Sequence, residues 1–571
     1  MEPSSIAAAH RAVAERFSGR PALRWKDQGR WREMTWRDYR ARADAAAAGL
    51  IALGIAPGDR VAILSENRPE WLLADIAILS VGAIDVPLHA TLSAEQVGHQ
   101  IAHSGARGVI VSSPSQAAKV TVMAETLPDL EWIVIVDPGQ IAGGGPPRAG
   151  SPRTLTWDGL CQRGRAAGAD GLTGVRAREQ AVRRADLATI IYTSGTTGVS
   201  KGVMLTHGNL LSNAEAAIRG AGRRPDDVTL AWLPLSHIYA RTCDHVMPLL
   251  QGLPIAFAES QDRLLVNIAE TQPTWMNGVP RFYEKIWNAI GALEPAARAQ
   301  RLRLMAGPRL REFGAGGAAL PVAIAEGFSA AGIPILQGYG LTETSPIISF
   351  NTPDSNRNGT VGRPLPGVEV KIAADGEILT RGPHVMRGYW KDEAATREVL
   401  DADGWFATGD VGEMDADGYL RITDRKKDLI VTAGGKNVAP TAIEALLVAD
   451  PWIDQAVVFG DGRPFVGALI VPAIEQLKAK AEQLGCAFET DGDVIKTPAL
   501  VSFIEERVTL AMRVVGQPER VRAFVLLSRP LEFAREEMTT TLKIRRRFVL
   551  ERFRDLVESM YASTPPDPSG V

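Results

Sequence analysis

The densest chemical signal in the chain is an eleven-residue run, Tyr192-Thr193-Ser194-Gly195-Thr196-Thr197-Gly198-Val199-Ser200-Lys201-Gly202. Gly195 and Gly198 tolerate positive φ, so backbone N–H groups there can turn toward an anion. Five hydroxyls (Thr193, Ser194, Thr196, Thr197 and Ser200) and the ammonium of Lys201 add donors for phosphate oxygens. The bland alternative is a polar turn after a strand, and the donor density argues against it. The run is not a Walker loop: GxxxxGK[ST] fails because Lys201 stands between Ser200 and Gly202. A second run, Gln337-Gly338-Tyr339-Gly340-Leu341-Thr342-Glu343-Thr344, contains a carboxylate able to hold Mg²⁺ through oxygen. By itself it reads equally well as a glycine-rich turn closing a strand. Thr408-Gly409-Asp410 carries a carboxylate suited to accept from two neighbouring hydroxyls, and alone it is equally a turn aspartate. No triad of His, Cys and Asp type and no metal-ligand spacing competes with these runs.

These groups need rigid elements to hold them. Leu187–Ile191, just ahead of the first run, is apolar and branched and reads as a buried strand. Upstream, Ala22–Trp25 and Arg30–Thr35 flank Lys26-Asp27-Gln28-Gly29 as a hairpin. Thr35 then caps a helix, with Asp38 three residues on and Gly54 stopping it. Arg60–Leu64 and Gly108–Ser112 read as short strands separated by helices, which implies parallel α/β layering. Trp71–Leu88 is interrupted by Asp75 and Asp85 and reads as a buried helix and strand, not a membrane span. Gly139–Arg153, with five glycines and three prolines, is a surface connector. A second α/β unit begins near Asp186. Between 359 and 423, Asp-Gly pairs at 375–376, 403–404 and 417–418 separate short β-rich runs, as expected of hairpins in a small barrel or sheet. A smaller α+β segment follows Arg425.

Composition sets outer limits. The chain has 571 residues, 63 basic and 66 acidic, a net charge of −3. That balance argues against a dedicated nucleic-acid binder. With 45% hydrophobic and 23% charged residues it is a folded chain long enough for several domains. Its three cysteines, Cys161, Cys243 and Cys486, are far apart, so neither a disulfide framework nor a cysteine-based zinc site is expected. The N-terminus shows no charged region followed by an apolar one, so a cytoplasmic location is expected. Peripheral contact with a membrane stays open, as does the oligomeric state.

Tyr192–His207 (YTSGTTGVSKGVMLTH) resembles the signature loop of the adenylate-forming superfamily, which contains acyl- and aryl-CoA synthetases, peptide-synthetase adenylation domains and luciferases. Further motifs follow in that family's order. Gln337–Thr344 is similar to its second signature, which implies adenine against Tyr339, Thr342 on the α-phosphate and Mg²⁺ on Glu343. Gly314–Ala318, by default a helix-packing loop, then implies Gly316 and Gly317 beside the adenine and acyl group, with Gln337, Gly338 and Gly340 nearby. Asp410 implies a ribose ligand, joined by Arg425. Arg425-Lys426-Lys427 alone would be a solvated charge run; by resemblance Lys427 is the hinge of the small domain. Gly434 and Gly435 match the loop that nears the CoA arm. His237, in Trp232–His237, matches a histidine beside the carboxylate pocket. Met538–Arg546 looks like the C-terminal signature of long-chain acyl-CoA synthetases and aligns Lys543 with the catalytic lysine; the Pro-x-x-x-x-Gly-Lys ending of many members is missing. Val279–Lys285 also resembles long-chain members, and Trp275, Met276 and Val279 are candidates for an acyl tunnel.

The resemblance implies an α/β fold: a large N-terminal domain (1–424) of two layered α/β subdomains plus a small β-barrel, a small mobile α+β domain (425–562), and a disordered tail (563–571). It implies an ATP- and Mg²⁺-dependent ligase that activates a medium or long fatty acid to acyl-AMP and passes it to coenzyme A. An acyl carrier protein as acceptor, an aryl or branched acid as substrate, and a silent nucleotide-binding protein are the alternatives. Acid identity and chain length are not legible in the sequence.

Overall fold

The computed structural model describes residues 2–139, 152–193, 200–291, 293–433, 437–539 and 543–563. Among them, two large sheets carry the N-terminal part. One has eight strands in the order Gly388–Tyr389, Lys201–Thr206, Leu187–Thr193, Ile84–Leu88, Arg60–Leu64, Ala106–Val111, Trp132–Ile135, Arg153–Thr156. Its middle strands are parallel and buried on both faces, which is why they read as continuous branched apolar runs rather than alternating ones. The other runs Arg363–Pro364, Ile347–Phe350, Ile335–Gly340, Glu312–Ala315, Trp275–Gly278, Thr229–Ala231, Ile255–Phe257, Pro21–Asp27, Arg30–Thr35.

Sheet membership departs from chain order. The N-terminal hairpin, expected in the first α/β unit, joins the second sheet through parallel pairing of Leu23 with Ile255. Leu187–Thr193, expected to open the second unit, inserts beside Ile84–Leu88 of the first, pairing Thr189 with Asp85. An apolar run specifies burial, not which sheet buries it. Between the sheets lies a π-helical turn, Arg241–Val246, all of it buried. Arg241 is fully buried and bonds Asp75, Asp85 and Thr189, so one guanidinium holds helix Pro69–Ser80 to two adjoining strands.

Local signals hold well. Thr35 accepts from the Asp38 N–H at 3.2 Å and caps helix Trp36–Ala52. Thr206 and Asn209 form a reciprocal capping box that starts helix His207–Gly220 directly after the strand carrying Lys201. Asp375-Gly376 and Asp417-Gly418 turn two hairpins, while Asp403-Gly404 turns the chain into strand Phe406–Met414. The expected small barrel is an open antiparallel sheet of four strands, Glu369–Ile372, Glu377–Arg381, Phe406–Met414 and Leu420–Arg425. It does not close because two other short strands of that region, Arg363–Pro364 and Gly388–Tyr389, pair with the large sheets instead.

The C-terminal part has its own core around strands Ile453–Phe459, Val466–Pro472 and Val521–Leu526, packed by helices Pro440–Val448 and Pro498–Ala511. Arg281 of the large part reaches it, bonding the Asp454 carboxylate at 2.6 Å. The connector expected over 139–153 ends one residue sooner, because Arg153 starts an edge strand; residues 140–151 lie outside the described residues. Ser563, expected in the tail, ends a helix, and 564–571 lie outside the described residues. Among the described residues no helix is long and apolar enough to cross a membrane.

Candidate active site

A cleft of about 2600 Å³ opens along the carboxyl ends of the second sheet, between it, the four-stranded sheet and the C-terminal part. Such a sheet edge is where open α/β folds place ligands. Thr193, Lys201, His237, Gly316, Gly317, Gln337, Gly338, Tyr339, Gly340, Thr342, Glu343, Asp410, Arg425, Lys427 and Lys543 all line it. Residues from 193 to 543 thus converge on one space.

The ends of the donor-rich run lie on two antiparallel strands. Thr193 and Lys201 pair across strands Leu187–Thr193 and Lys201–Thr206, so the segment between them leaves and re-enters rigid backbone. Ser194, Gly195, Thr196, Thr197 and Gly198 lie outside the described residues. The Lys201 ammonium stands 4.8 Å from the centroid of the Tyr389 ring. Tyr389 in turn donates its hydroxyl to Glu343 Oε1 at 2.9 Å. Glu343 sits in a one-turn 3-10 helix, Thr342–Thr344, and its carbonyl accepts from the Met386 N–H at 2.8 Å. Burial pushes the Glu343 carboxyl above its ordinary value, opposed by the Tyr389 hydroxyl and Arg425. Among the described residues no cationic side chain lies within ion-pair distance of it. A desolvated carboxylate with no such partner fits a hard divalent cation such as Mg²⁺.

Opposite, Asp410 and Arg425 are direct partners on neighbouring antiparallel strands. Arg425 Nε lies 3.0 Å from Asp410 Oδ1, and the Tyr339 hydroxyl donates to Oδ2 at 2.8 Å. Burial raises the Asp410 carboxyl, with Arg425 and Tyr339 pulling the other way. Tyr339 is therefore held by its rim, which orients its ring. Gly340 cannot be anything else: a Cβ there would lie 1.6 Å from the Pro346 carbonyl oxygen. A Cβ on Gly338 would press on Phe350 at 3.2 Å. The carbonyl of Gln337, the residue before this pair, anchors Asn351.

Lys543 approaches from the C-terminal part. Its Cε would lie 3.6 Å from a Cβ on Gly317, whose φ of +88° already favours glycine. Burial, then Arg425, pulls the Lys543 ammonium down to about 8, with Asp410 opposing. Gly316 accommodates the Tyr239 ring, which a Cβ would meet at 3.3 Å. His237 caps the short helix Ile238–Ala240, its Nδ1 accepting from the Tyr239 N–H at 3.2 Å. Burial pushes His237 down to about 3, so it is a neutral imidazole. Lys427 is exposed at the rim two residues past Arg425. Gly434 and Gly435 lie outside the described residues.

Of the tunnel candidates, only Trp275 lines the cleft. Met276 is core, because adjacent residues of a strand face opposite ways, and Val279 is buried where helix Pro280–Ala289 begins. Three cleft residues escaped the sequence reading. Tyr389 bridges Lys201 and Glu343, His89 bonds Ser236 at 2.6 Å beside the His237 ring, and Asn277 lies under Tyr239. A lone Tyr, His or Asn carries no spacing that separates it from packing residues.

The described residues thus bring together two cations, Lys201 and Lys543, a metal-competent carboxylate, Glu343, and a second carboxylate, Asp410, beside an aromatic ring. The chain belongs to the AMP-binding enzyme family, whose model matches residues 10–390; an AMP-binding enzyme C-terminal domain matches 427–565. Within it, the chain is 37% identical to the long-chain-fatty-acid–CoA ligase FadD15 of Mycobacterium tuberculosis, covering 93% of each. It is 29% identical to the peroxisomal long chain acyl-CoA synthetase 7 of Arabidopsis thaliana, over 95% of this chain and 84% of that one. The crystal structure of ATP-bound MatB from Rhodopseudomonas palustris superposes with a TM-score of 0.73 at 26% identity, covering 96% and 99%. The anthranilate-CoA ligase AuaEII shares the fold with a TM-score of 0.77 at 23% identity, covering 98% and 99%.

Proposed function

We propose that this chain is a fatty acid–CoA ligase that forms acyl-AMP from ATP and then acyl-CoA. The observation that carries the reading is the convergence of Lys201, Glu343, Asp410, Arg425 and Lys543 on one cleft. Relatedness to long-chain-fatty-acid–CoA ligases supports the substrate class.

In the first half-reaction a carboxylate oxygen attacks the α-phosphorus and the bond to the bridging oxygen of pyrophosphate breaks. Both reactants are anions, so the protein's task is to position them and spread their charge. Asp410 accepts from the ribose hydroxyls, with Arg425 fixing its orientation, and Tyr339 lies against adenine. Lys201 and the hydroxyl and N–H donors of the Thr193–Lys201 run hold the β- and γ-phosphates, and Thr342 donates to the α-phosphate. Lys543 bridges the acid and the α-phosphate. Glu343 would hold Mg²⁺, which neutralises charge on the phosphate oxygens when bound. His237, neutral at working pH, shapes the carboxylate pocket without adding charge. Gly316 and Gly317 leave room for the acyl-phosphate backbone.

In the second half-reaction a thiol sulfur attacks the acyl carbonyl, the mixed anhydride breaks and AMP leaves. Lys543 stands in the thiol's path. Rotation of the C-terminal domain, bounded near Arg425 and hinged at Lys427, withdraws it and brings the Gly434–Gly435 face to the site. An acyl carrier protein is the competing acceptor. The test is ATP–pyrophosphate exchange across alkanoic acids of graded length, with acetate and benzoate included, followed by product analysis with CoA. Exchange peaking at one chain length and CoA-dependent thioester formation support the reading. Exchange without any acyl-CoA would refute the acceptor, and exchange with benzoate alone would refute the acid.

A further inference from the structure

Beyond Tyr239 the cleft continues along the face of the second sheet. Trp275 and Asn277 lie on one face of strand Trp275–Gly278, and Glu312 and Gly314 on the same face of the next strand, because Trp275 pairs with Glu312 and Asn277 with Gly314. Facing them across this chamber are Ala217 and Ala221 of the preceding helix and its cap, and Cys243 and Met247 of the π-helical turn and its continuation. Apart from Asn277, whose amide donates to Asp244, the walls are thus small or apolar. The far end is not. There the Arg223 guanidinium pairs with the Glu312 carboxylate, with side chains only 10% and 8% exposed. The guanidinium lies over the Trp275 indole, 3.9 Å from its centroid. Arg223 Nε and Trp275 Nε1 are both buried with no hydrogen-bond partner.

An alkyl tail cannot replace either member of that pair. Displacing Arg223 would leave Glu312 buried and uncompensated, and the apolar tail would return no hydrogen bond. Stacking on Trp275 further restrains the guanidinium. We infer that the Arg223–Glu312 pair, stacked on Trp275, is the floor of the acyl compartment and sets the longest acid the enzyme activates well. At ~3.3 Å per residue, the four residues from Gly316 back to Glu312 span about 13 Å of compartment. This inference rests on the fatty acid–CoA ligase reading above.

Two double variants separate floor from fold. Arg223→Ala with Glu312→Gln opens the end and leaves no charge behind. Arg223→Met with Glu312→Gln removes the charges but keeps the volume. ATP–pyrophosphate exchange and displacement of a fluorescent fatty acid are measured for both and for the wild type, with alkanoates from eight to twenty carbons. The opened variant should gain at least about tenfold in the ratio of kcat/KM for acids beyond the wild-type optimum to that for the optimum, the scale on which an apolar pocket counts methylenes. The volume-conserving variant should keep the wild-type profile. Exchange with an unshifted profile in the opened variant overturns the floor and leaves the ligase reading standing. Absence of exchange with every alkanoate in the wild type overturns the ligase reading, and the displacement series then decides the floor by the same shift.

Discussion

Lys543 offers the sharpest test of the adenylation chemistry, because its environment shifts its charge into an accessible range. An ordinary lysine ammonium titrates at 10.5, and this one is held at about 8, chiefly by burial. The difference corresponds to about 3 kcal/mol against the charged form in the free enzyme. The sign follows directly. A cation with a lowered pKa is present below pH 8 and lost above it, so a step that needs the ammonium fails on the alkaline side. About nine in ten enzyme molecules carry the charge at pH 7 and about one in eleven at pH 9. In ATP–pyrophosphate exchange, kcat/KM for ATP should bend near pH 8 and fall about tenfold per unit above it, since that parameter reports the free enzyme. Bound phosphates favour the charged form, so kcat should bend at higher pH. Lys543→Arg keeps a charge that does not titrate in this range. It should lower the exchange rate by on the order of 10²-fold through its altered geometry and abolish the bend. Thioester formation from preformed acyl-AMP should not show the alkaline fall. A bend surviving in Lys543→Arg, or a flat wild-type profile from pH 7 to 9.5, would refute the role of the ammonium.

Other outcomes follow from the same geometry. Asp410→Asn should raise KM for ATP by about 10- to 100-fold, the range for a hydrogen bond to a charged group, while leaving weak binding of 2′,3′-dideoxy-ATP nearly unchanged; equal losses for both nucleotides in calorimetry would remove Asp410 from the ribose. Tyr389→Phe removes the hydroxyl that orients Glu343. The Mg²⁺ concentration for half-maximal exchange should rise about tenfold, and an unchanged titration would separate Glu343 from the metal. Arg241→Met leaves Asp75 and Asp85 buried without their cation. Urea unfolding should show a loss of about 3–5 kcal/mol, and a loss under about 1 kcal/mol would show that the network does not stabilise the fold.

The sequence by itself determined the kinds of chemistry available and the local shapes that offer it. The apolar strand ahead of the hydroxyl-rich run, the Asp-Gly turns and the cap at Thr35 depend on residues a few places apart, and the chain forms them where they read. Met276 shows the limit of that reading: an apolar residue beside a site residue belongs to the core or the cleft according to the phase of the strand, and here it is core. Tertiary structure alone decided the rest. It placed Leu187–Thr193 in the first sheet and the N-terminal hairpin in the second, because strand patterns encode burial but not partners. It brought Tyr339 to Asp410 and Tyr389 to Glu343, contacts that span 71 and 46 residues. It also set the charge of Lys543 and His237, since a pKa follows the desolvation and neighbouring charges that only the assembled cleft supplies.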